Sequence, residues 1–218
     1  MKLPIFQGIL KGKWWIVGSG THDCWIGCYE SDKQEKMRKL LKKGSIFYDI
    51  GANVGFYTLF ASELVGSEGR VYAFEPVPRN LKYLDQHLKM NKIINVTVYE
   101  LAVSDHTGQT FFDEGKDPTT GKISTTGKIL VNMVSLDELY IQGKIRLPDF
   151  LKIDVEGAEY QVITGAIKIL KKSHPIIFLA THGKKEHQDC CRLLLEWGYS
   201  LESIDGKNID ETREILAM

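Results

Sequence analysis

Ile46-Phe47-Tyr48-Asp49-Ile50-Gly51-Ala52-Asn53-Val54-Gly55 is the stretch that decides the fold. Its first five residues form an apolar run of aromatic and β-branched side chains around one aspartate, the pattern of a buried strand. Gly51, Asn53 and Gly55 then call for a tight turn, and a helix is expected from about Phe56. Strand, turn and helix in this order make a nucleotide-binding corner. Glycine at 51 and 55 leaves room for a ligand against the backbone, and the N–H groups that open the helix attract an anionic group. Asp49, near the end of the strand, supplies a carboxylate that attracts a cation.

A ligand carrying both an anion and a cation suits such a mouth, and the amino-acid end of S-adenosylmethionine is one. A nicotinamide dinucleotide would require glycine at 51, 53 and 56, whereas this chain has Asn53 and Phe56. A second acidic residue supports a nucleoside. Arg70 to Phe74 is another short β-rich run, ending in Glu75-Pro76. Glu75 follows Gly51 at about the ~20-residue distance at which the next parallel strand presents a carboxylate to ribose hydroxyls.

Around this corner the chain of 218 residues is long enough for a sizeable core and short enough for one main domain. Its 28 basic and 28 acidic residues balance, which argues against a broad nucleic-acid footprint or a polybasic membrane surface. No apolar run reaches the ~18 residues of a membrane span. The opening ten residues lack the sustained apolar core and cleavage site of an export signal, so a soluble cytoplasmic protein is expected. Four cysteines do not make a disulfide scaffold. Cys190 and Cys191 are adjacent on a predicted helix and point about 100° apart, a poor zinc clamp.

Towards the amino terminus, Trp14, Trp15, Trp25 and Tyr29 flank Gly18-Ser19-Gly20, which reads as a hairpin or extended arm. Ser31 and Gln34 form a capping-box pattern for a helix over 32–43, stopped by Gly44. Residues 1–43 are thus expected to be an aromatic β-arm and helix capping a main domain at 44–218. Beyond Glu75, Pro78 to Met90 is amphipathic through Leu81, Leu84 and Leu88. Asn95 to Ser104 reads as a third strand, with Ala102 placed to flank an adenine. Gly108 to Gly127 reads as a substrate-side insertion, with Phe111-Phe112 paired to 129–134. Ser135 and Glu138 form another capping box.

Asp149 to Val155 is the fourth strand, with Lys152, Asp154 and Glu156 on one side. A lysine inside an apolar strand needs carboxylate partners. A helix to about Lys172, a strand over 176–180 ending in Thr181-His182-Gly183, a helix over 186–197 and a terminal hairpin (199–204 with 214–217) complete the pattern. Alternating strands and helices predict a parallel α/β sheet with helices on both faces, and ligands bind such sheets at the carboxyl ends of their strands. Asp49, Glu75, Ala102, Asp154 and His182 all fall at such ends.

Three ordered motifs, Tyr-Asp-Ile-Gly-Ala-Asn-Val-Gly-Phe-Tyr-Thr from Tyr48, Val-Tyr-Ala-Phe-Glu-Pro-Val-Pro-Arg-Asn from Val71 and Leu-Lys-Ile-Asp-Val-Glu-Gly-Ala-Glu from Leu151, resemble the FkbM family of S-adenosylmethionine-dependent methyltransferases. The likeness runs from about Tyr29 to Tyr199. It implies a Rossmann-like class I methyltransferase with a seven-stranded, mostly parallel sheet whose last strand is antiparallel. It also implies S-adenosyl-L-methionine as cofactor and an acceptor oxygen on a sugar, lipid or secondary metabolite. It assigns Asp49, Gly51, Asn53 and Gly55 to the methionine end, Glu75 to the ribose, and Asp154 to the rim beside the sulfonium. Where many members carry a glutamate near the end of the fifth strand, this chain has Ala180.

Two roles are open to His182: general base for the acceptor hydroxyl, or a strand-end residue bonded to backbone. His22, His87, His106, His174 and His187 are expected in loops or on helix surfaces. Asp154 and Glu156 have the oxygen ligands that magnesium takes. Their pairing with Lys152 makes a metal less necessary, and no metal ligand is assigned. The competing functional classes are a cofactor-binding regulatory module without catalysis and a nicotinamide-dependent dehydrogenase.

Overall fold

The computed structural model describes residues 1–113, 122–123, 127 and 129–218. The chain starts with an antiparallel ribbon, β1 (Lys2–Pro4) against β2 (Trp14–Ile16). The turn at Gly18-Ser19-Gly20 therefore does not join a hairpin, contrary to the sequence pattern; it leads into α1 (His22–Ile26). The reason lies in what β2 packs on. Trp15 is wholly buried and stacks on the His87 ring with centroids 3.9 Å apart, and the Ile16 N–H donates to His87 Nε2 at 3.1 Å.

The next helix, α2 (Ser31–Leu40), begins one residue earlier and ends sooner than its pattern suggests. No Ser31–Gln34 capping box forms. Glu30, in the left-handed region at φ 46°, is the N-cap, and the Gln34 side chain donates to the Tyr29 carbonyl. Leu41 turns extended and buries its side chain, which stops the helix before Gly44.

Then come β3 (Ile46–Ile50), α3 (Phe56–Val65), β4 (Arg70–Phe74), α4 (Pro78–Met90) and β5 (Val96–Tyr99). The strand expected over 95–104 divides after Tyr99, and Ala102–Val103 becomes β6 in a second sheet. There β6 lies parallel to β9 (Ile129–Val134), which pairs antiparallel with β7 (Gly108–Asp113). Phe112 sits opposite Ile129, as the sequence suggests. A fragment, β8 (Lys122–Ile123), pairs with β7, and the rest of the 108–127 insertion lies outside the described residues.

Helix α5 (Leu136–Ile141) is capped as expected, with the Glu138 N–H donating to Ser135 Oγ at 3.2 Å. After β10 (Phe150–Ile153), the single helix expected divides into α6 (Glu159–Thr164) and α7 (Ile167–Ser173). Gly165 marks the break because its Cα lies against the chain after β6: a Cβ there would come within 2.0 Å of the Ser104 carbonyl oxygen. Strand β11 (Ile176–Ala180), α8 (Lys184–Glu196) and the antiparallel pair β12 (Leu201–Ser203) and β13 (Glu214–Ala217) close the chain.

The main sheet has the order β12-β13-β11-β10-β3-β4-β5, with β13 antiparallel to its neighbours and the β3, β4, β5, β10 and β11 pairings parallel. Alternation along the strands feeds two cores. Tyr48, Ile50, Leu151, Ile153 and Leu179 pack with α6, α7 and α8, while Phe47, Phe150 and Phe178 pack on the α3 side. Residues 1–43 join that second core through Ile5, Leu10, Trp15, Met37 and Leu41. A buried lysine, Lys33, ties α2 to the sheet by pairing with Glu30 at 3.0 Å and Glu214 at 2.9 Å. Among the described residues no helix is long and apolar enough to cross a membrane.

Candidate active site

Strands β3 and β10 are neighbours, yet their crossovers run to opposite sides, so a crevice opens at their carboxyl ends. A cavity of about 260 Å³ lies there. Its floor is Gly51, Ala52 and Asn53, and Glu75 with Pro76 forms one side. Asp154, Glu156 and His182 form the other, and Ala102, Val77 and Phe112 give it an apolar end. Tyr29 and Glu30 from the amino-terminal segment and Glu214 from β13 complete the wall. Ala180 lines it too, so the chain has no carboxylate where the resemblance leads one to look.

Two residues assigned to this mouth from the sequence do not line it. Asp49 is wholly buried beneath it, accepting from Thr58 Oγ1 at 2.6 Å and lying 3.6 Å from Lys152 Nζ. Burial pushes its pKa up, and the lysine and the threonine bond oppose that shift. Gly55, at φ 92°, is the N-cap of α3, and a Cβ there would strike Leu84 Cδ1 at 2.4 Å. Gly51 does line the cavity. What requires glycine there is a φ of 78° and the Asp154 carbonyl oxygen, 1.9 Å from where a Cβ would be. These glycines are thus set by close chain packing, and the space for a ligand is a by-product of it.

Glu75 is 4 % exposed and has its carboxylate at the cavity wall. Oε2 accepts the Asn53 N–H at 2.8 Å; Oε1 accepts the Val77 N–H at 3.0 Å and Asn80 Nδ2 at 3.2 Å. Burial raises its pKa and those three donors oppose the rise. A carboxylate has about four acceptor positions. One therefore remains on Oε2 for a hydroxyl, where the sequence reading gave Glu75 both hydroxyls of a ribose.

On the opposite side, Lys152 is 4 % exposed, with Nζ 3.3 Å from Asp154, 3.6 Å from Asp49 and 3.3 Å from the Gly51 carbonyl. Burial alone would lower its pKa, but Asp154 and Asp49 more than offset this and hold it charged. Asp154 is lowered in turn: burial disfavours its charge, and Lys152, Lys33 and His182 outweigh burial. The chain then turns sharply at Glu156, in the left-handed region at φ 55°. That turn brings Glu156 Oε1 to 3.5 Å and leaves Asp154 Oδ1 at 3.9 Å from His182 Nε2. The other ring nitrogen, Nδ1, lies 2.7 Å from Glu159 Oε1. The bond to Glu159 raises the His182 pKa, burial opposes it, and Glu156 and Asp154 add to the rise.

Asp154, Glu156 and His182 each place one donor atom within 4.8 Å of the others, a spacing that would admit a cation. The Lys152 ammonium already sits on Asp154, and a protonated His182 supplies positive charge to both carboxylates. The four cysteines are free thiols, and burial raises Cys24, Cys190 and Cys191.

Sequence reasoning missed two features. His87 and His187 are buried, not solvated: His87 Nδ1 bonds the Val54 carbonyl at 2.8 Å, and His187 lies between Thr181 and the Ile209 carbonyl. The apolar surroundings of His87 come from Trp15, far away in sequence, so no local signal marks it. Second, the wall from residues 29–30 was visible only as an aromatic arm. Tyr57 Oη donates to Glu30 Oε2 at 2.7 Å, and Lys33 and Lys152 lie 5.8 and 5.4 Å from the Tyr57 ring.

A seven-stranded sheet with one reversed strand, and a carboxylate-lined crevice at its switch point, is the architecture of class I methyltransferases, whose cofactor is S-adenosylmethionine. Within that class the chain belongs to the FkbM methyltransferase domain family, whose model matches residues 49–201. It is similar to the hexuronic acid methyltransferase AglP of Haloferax volcanii, 28 % identical over 184 residues that cover 82 % of this chain and 74 % of that protein. It is also similar to the 31-O-demethyl-FK506 methyltransferase FkbM of Streptomyces tacrolimicus, 27 % identical over 57 % of this chain and 60 % of that one. Among solved structures, methyltransferase FkbM from Methylobacillus flagellatus superposes with a TM-score of 0.59 and 16 % identity. That match covers 91 % of this chain and 55 % of the longer one.

Proposed function

We propose that this methyltransferase uses S-adenosylmethionine to methylate a hydroxyl oxygen of an uncharged, sugar-like acceptor. The observation that carries the reading is the convergence of Glu75, Asp154 and His182, from three different strand ends, on one cavity. The cavity fits the cofactor chemically: a buried carboxylate with one free acceptor position, apolar Val77, Ala102 and Phe112 for a purine, and Asp154 as counter-charge for a sulfonium. S-adenosylmethionine, when bound, supplies an electrophilic methyl group. Glu75 accepts a ribose hydroxyl, and Asn53 holds its turn through the bond to Glu75. Tyr29, Glu30 and Tyr57 line the wall and take up space that water would otherwise fill. His182 Nε2 takes the proton of the acceptor hydroxyl, an effect that contributes ~10²–10⁴-fold when geometry is right.

Charge narrows the acceptor. Glu30, Asp154, Glu156 and Glu214 line the wall, and the cations beside them, Lys33 and Lys152, are committed to ion pairs. An acceptor carboxylate would meet like charges, whereas hydroxyl groups find acceptors for their protons. A hexuronate is the second reading, favoured by Arg79, which lines the cavity, is exposed and forms no ion pair among the described residues. The test is S-adenosylhomocysteine release with matched neutral hexoses and hexuronates, presented free and glycosidically linked. Turnover with the neutral member of a pair is expected. Turnover confined to uronates would reverse the assignment, and cofactor binding by calorimetry without turnover across a wide hydroxyl panel would favour a regulatory module.

A further inference from the structure

One buried acid takes no part in the mechanism above. Glu159 opens α6 with its side chain fully buried, and its Oε1 accepts the Gly157 N–H at 2.9 Å while lying 2.7 Å from His182 Nδ1. Its other oxygen, Oε2, is buried with no hydrogen-bond partner among the described residues. Burying a carboxylate costs several kcal/mol unless an opposite charge compensates it. The titratable groups around it are His182 and Glu156 on the cavity side and Glu186 and Cys190 of α8 behind it. Of these, only the imidazole can become a cation.

We infer that Glu159 is the positioning residue that turns His182 into a directed proton acceptor. This rests on His182 being the base. The carboxylate accepts the Nδ1–H and so fixes the tautomer and the ring plane. That leaves the Nε2 lone pair facing the cavity beside Glu156 and Asp154. When Nε2 takes the acceptor proton, the O–H bond breaks and an N–H bond forms. The positive charge that results lies against the buried Glu159 side chain, in surroundings of low dielectric where a carboxylate stabilises it more strongly than in solvent. Glu159 touches no reacting atom and acts only through the ring. The Gly157 N–H holds the same oxygen, so the turn at 156–157 that carries Glu156 and the pair that orients His182 form one unit.

The test is long-range ¹H–¹⁵N NMR of the His182 ring in the full chain, with turnover measured alongside. In wild-type protein above its titration midpoint, His182 should show the Nδ1–H tautomer, and an Nε2–H tautomer would overturn the inference without any variant. In Glu159→Gln the midpoint should fall towards the ordinary histidine value of ~6.5. In the same variant kcat should drop roughly 10²-fold, with the cofactor KM unchanged. An unchanged midpoint in the folded variant refutes Glu159 as the positioning group. A lowered midpoint with wild-type kcat instead refutes His182 as the base, which separates the two failures.

Discussion

Replacing Glu75 by glutamine removes a charge with almost no change of shape, so its cost can be worked from the bonds. The carboxylate accepts three N–H groups, two at Oε1 and one at Oε2. An amide offers one carbonyl oxygen, and the orientation that keeps Val77 and Asn80 turns its NH₂ towards the Asn53 N–H. One buried donor is then unsatisfied, which costs about 1–3 kcal/mol. In a chain of this length that lowers Tm by about 2–4 °C per kcal/mol. Separately, the hydroxyl that Oε2 would bind loses a charged acceptor, worth about 1.5–3 kcal/mol, so the cofactor Kd should rise by ~10–150-fold. Denaturant titration measures the first effect and calorimetry with S-adenosylmethionine the second. A folded Glu75→Gln protein with unchanged Kd would show that the cofactor does not reach Glu75, and unchanged stability would refute the bonding that holds the 51–55 turn.

Lys152→Met leaves Asp49 buried without a counter-charge, and unfolding in urea should show a loss of about 3–5 kcal/mol, part of it restored by adding Asp49→Asn; a loss below about 1 kcal/mol contradicts the pairing. His182→Ala should cut turnover by ~10²–10⁴-fold at unchanged cofactor affinity. Because its pKa is raised, the base form accumulates only as pH climbs above the usual ~6.5, so wild-type turnover should increase through a midpoint above that value; a pH-independent rate contradicts the role. Turnover should survive exhaustive EDTA, since the Lys152 ammonium already pairs with Asp154, and activity lost to EDTA and restored by Mn²⁺ or Mg²⁺ would refute that. His87 is lowered to about 4 by burial, against which its bond to the Val54 carbonyl acts. The unfolded chain therefore binds the extra proton first: the contribution of His87 is complete above pH ~6.5 and is lost as pH falls towards 4, by about 3 kcal/mol in all. Equal urea stability at pH 7 and 4.5 would contradict this.

Local sequence determined the elements that the chain can form on its own physics. The apolar run 46–50, the positive-φ demands of Gly51 and Gly55 and the spacing to Glu75 placed the first βαβ unit and one wall of the cavity. The Ser135–Glu138 cap and the terminal hairpin were legible for the same reason, because their partners lie within a few residues or alternate with period two. Lys152 also declared itself, since a lysine in a buried strand must find carboxylates.

What only the tertiary structure decided depends on partners distant in the chain. Asp49 and Gly55 read as ligand contacts, yet packing against Lys152 and Leu84 places them behind the wall. The 95–104 run looks like one strand, but pairing of Ala102 with Met133 transfers its end to another sheet. The 31–34 cap gave way to Glu30, whose carboxylate is held by Tyr57 and Lys33. His87 became a core residue through Trp15, and His182 acquired its orientation from Glu159, 23 residues earlier. In each case a burial or an ion pair formed by long-range closure outweighs a local preference worth about 1 kcal/mol, and periodicity carries no trace of which distant group arrives.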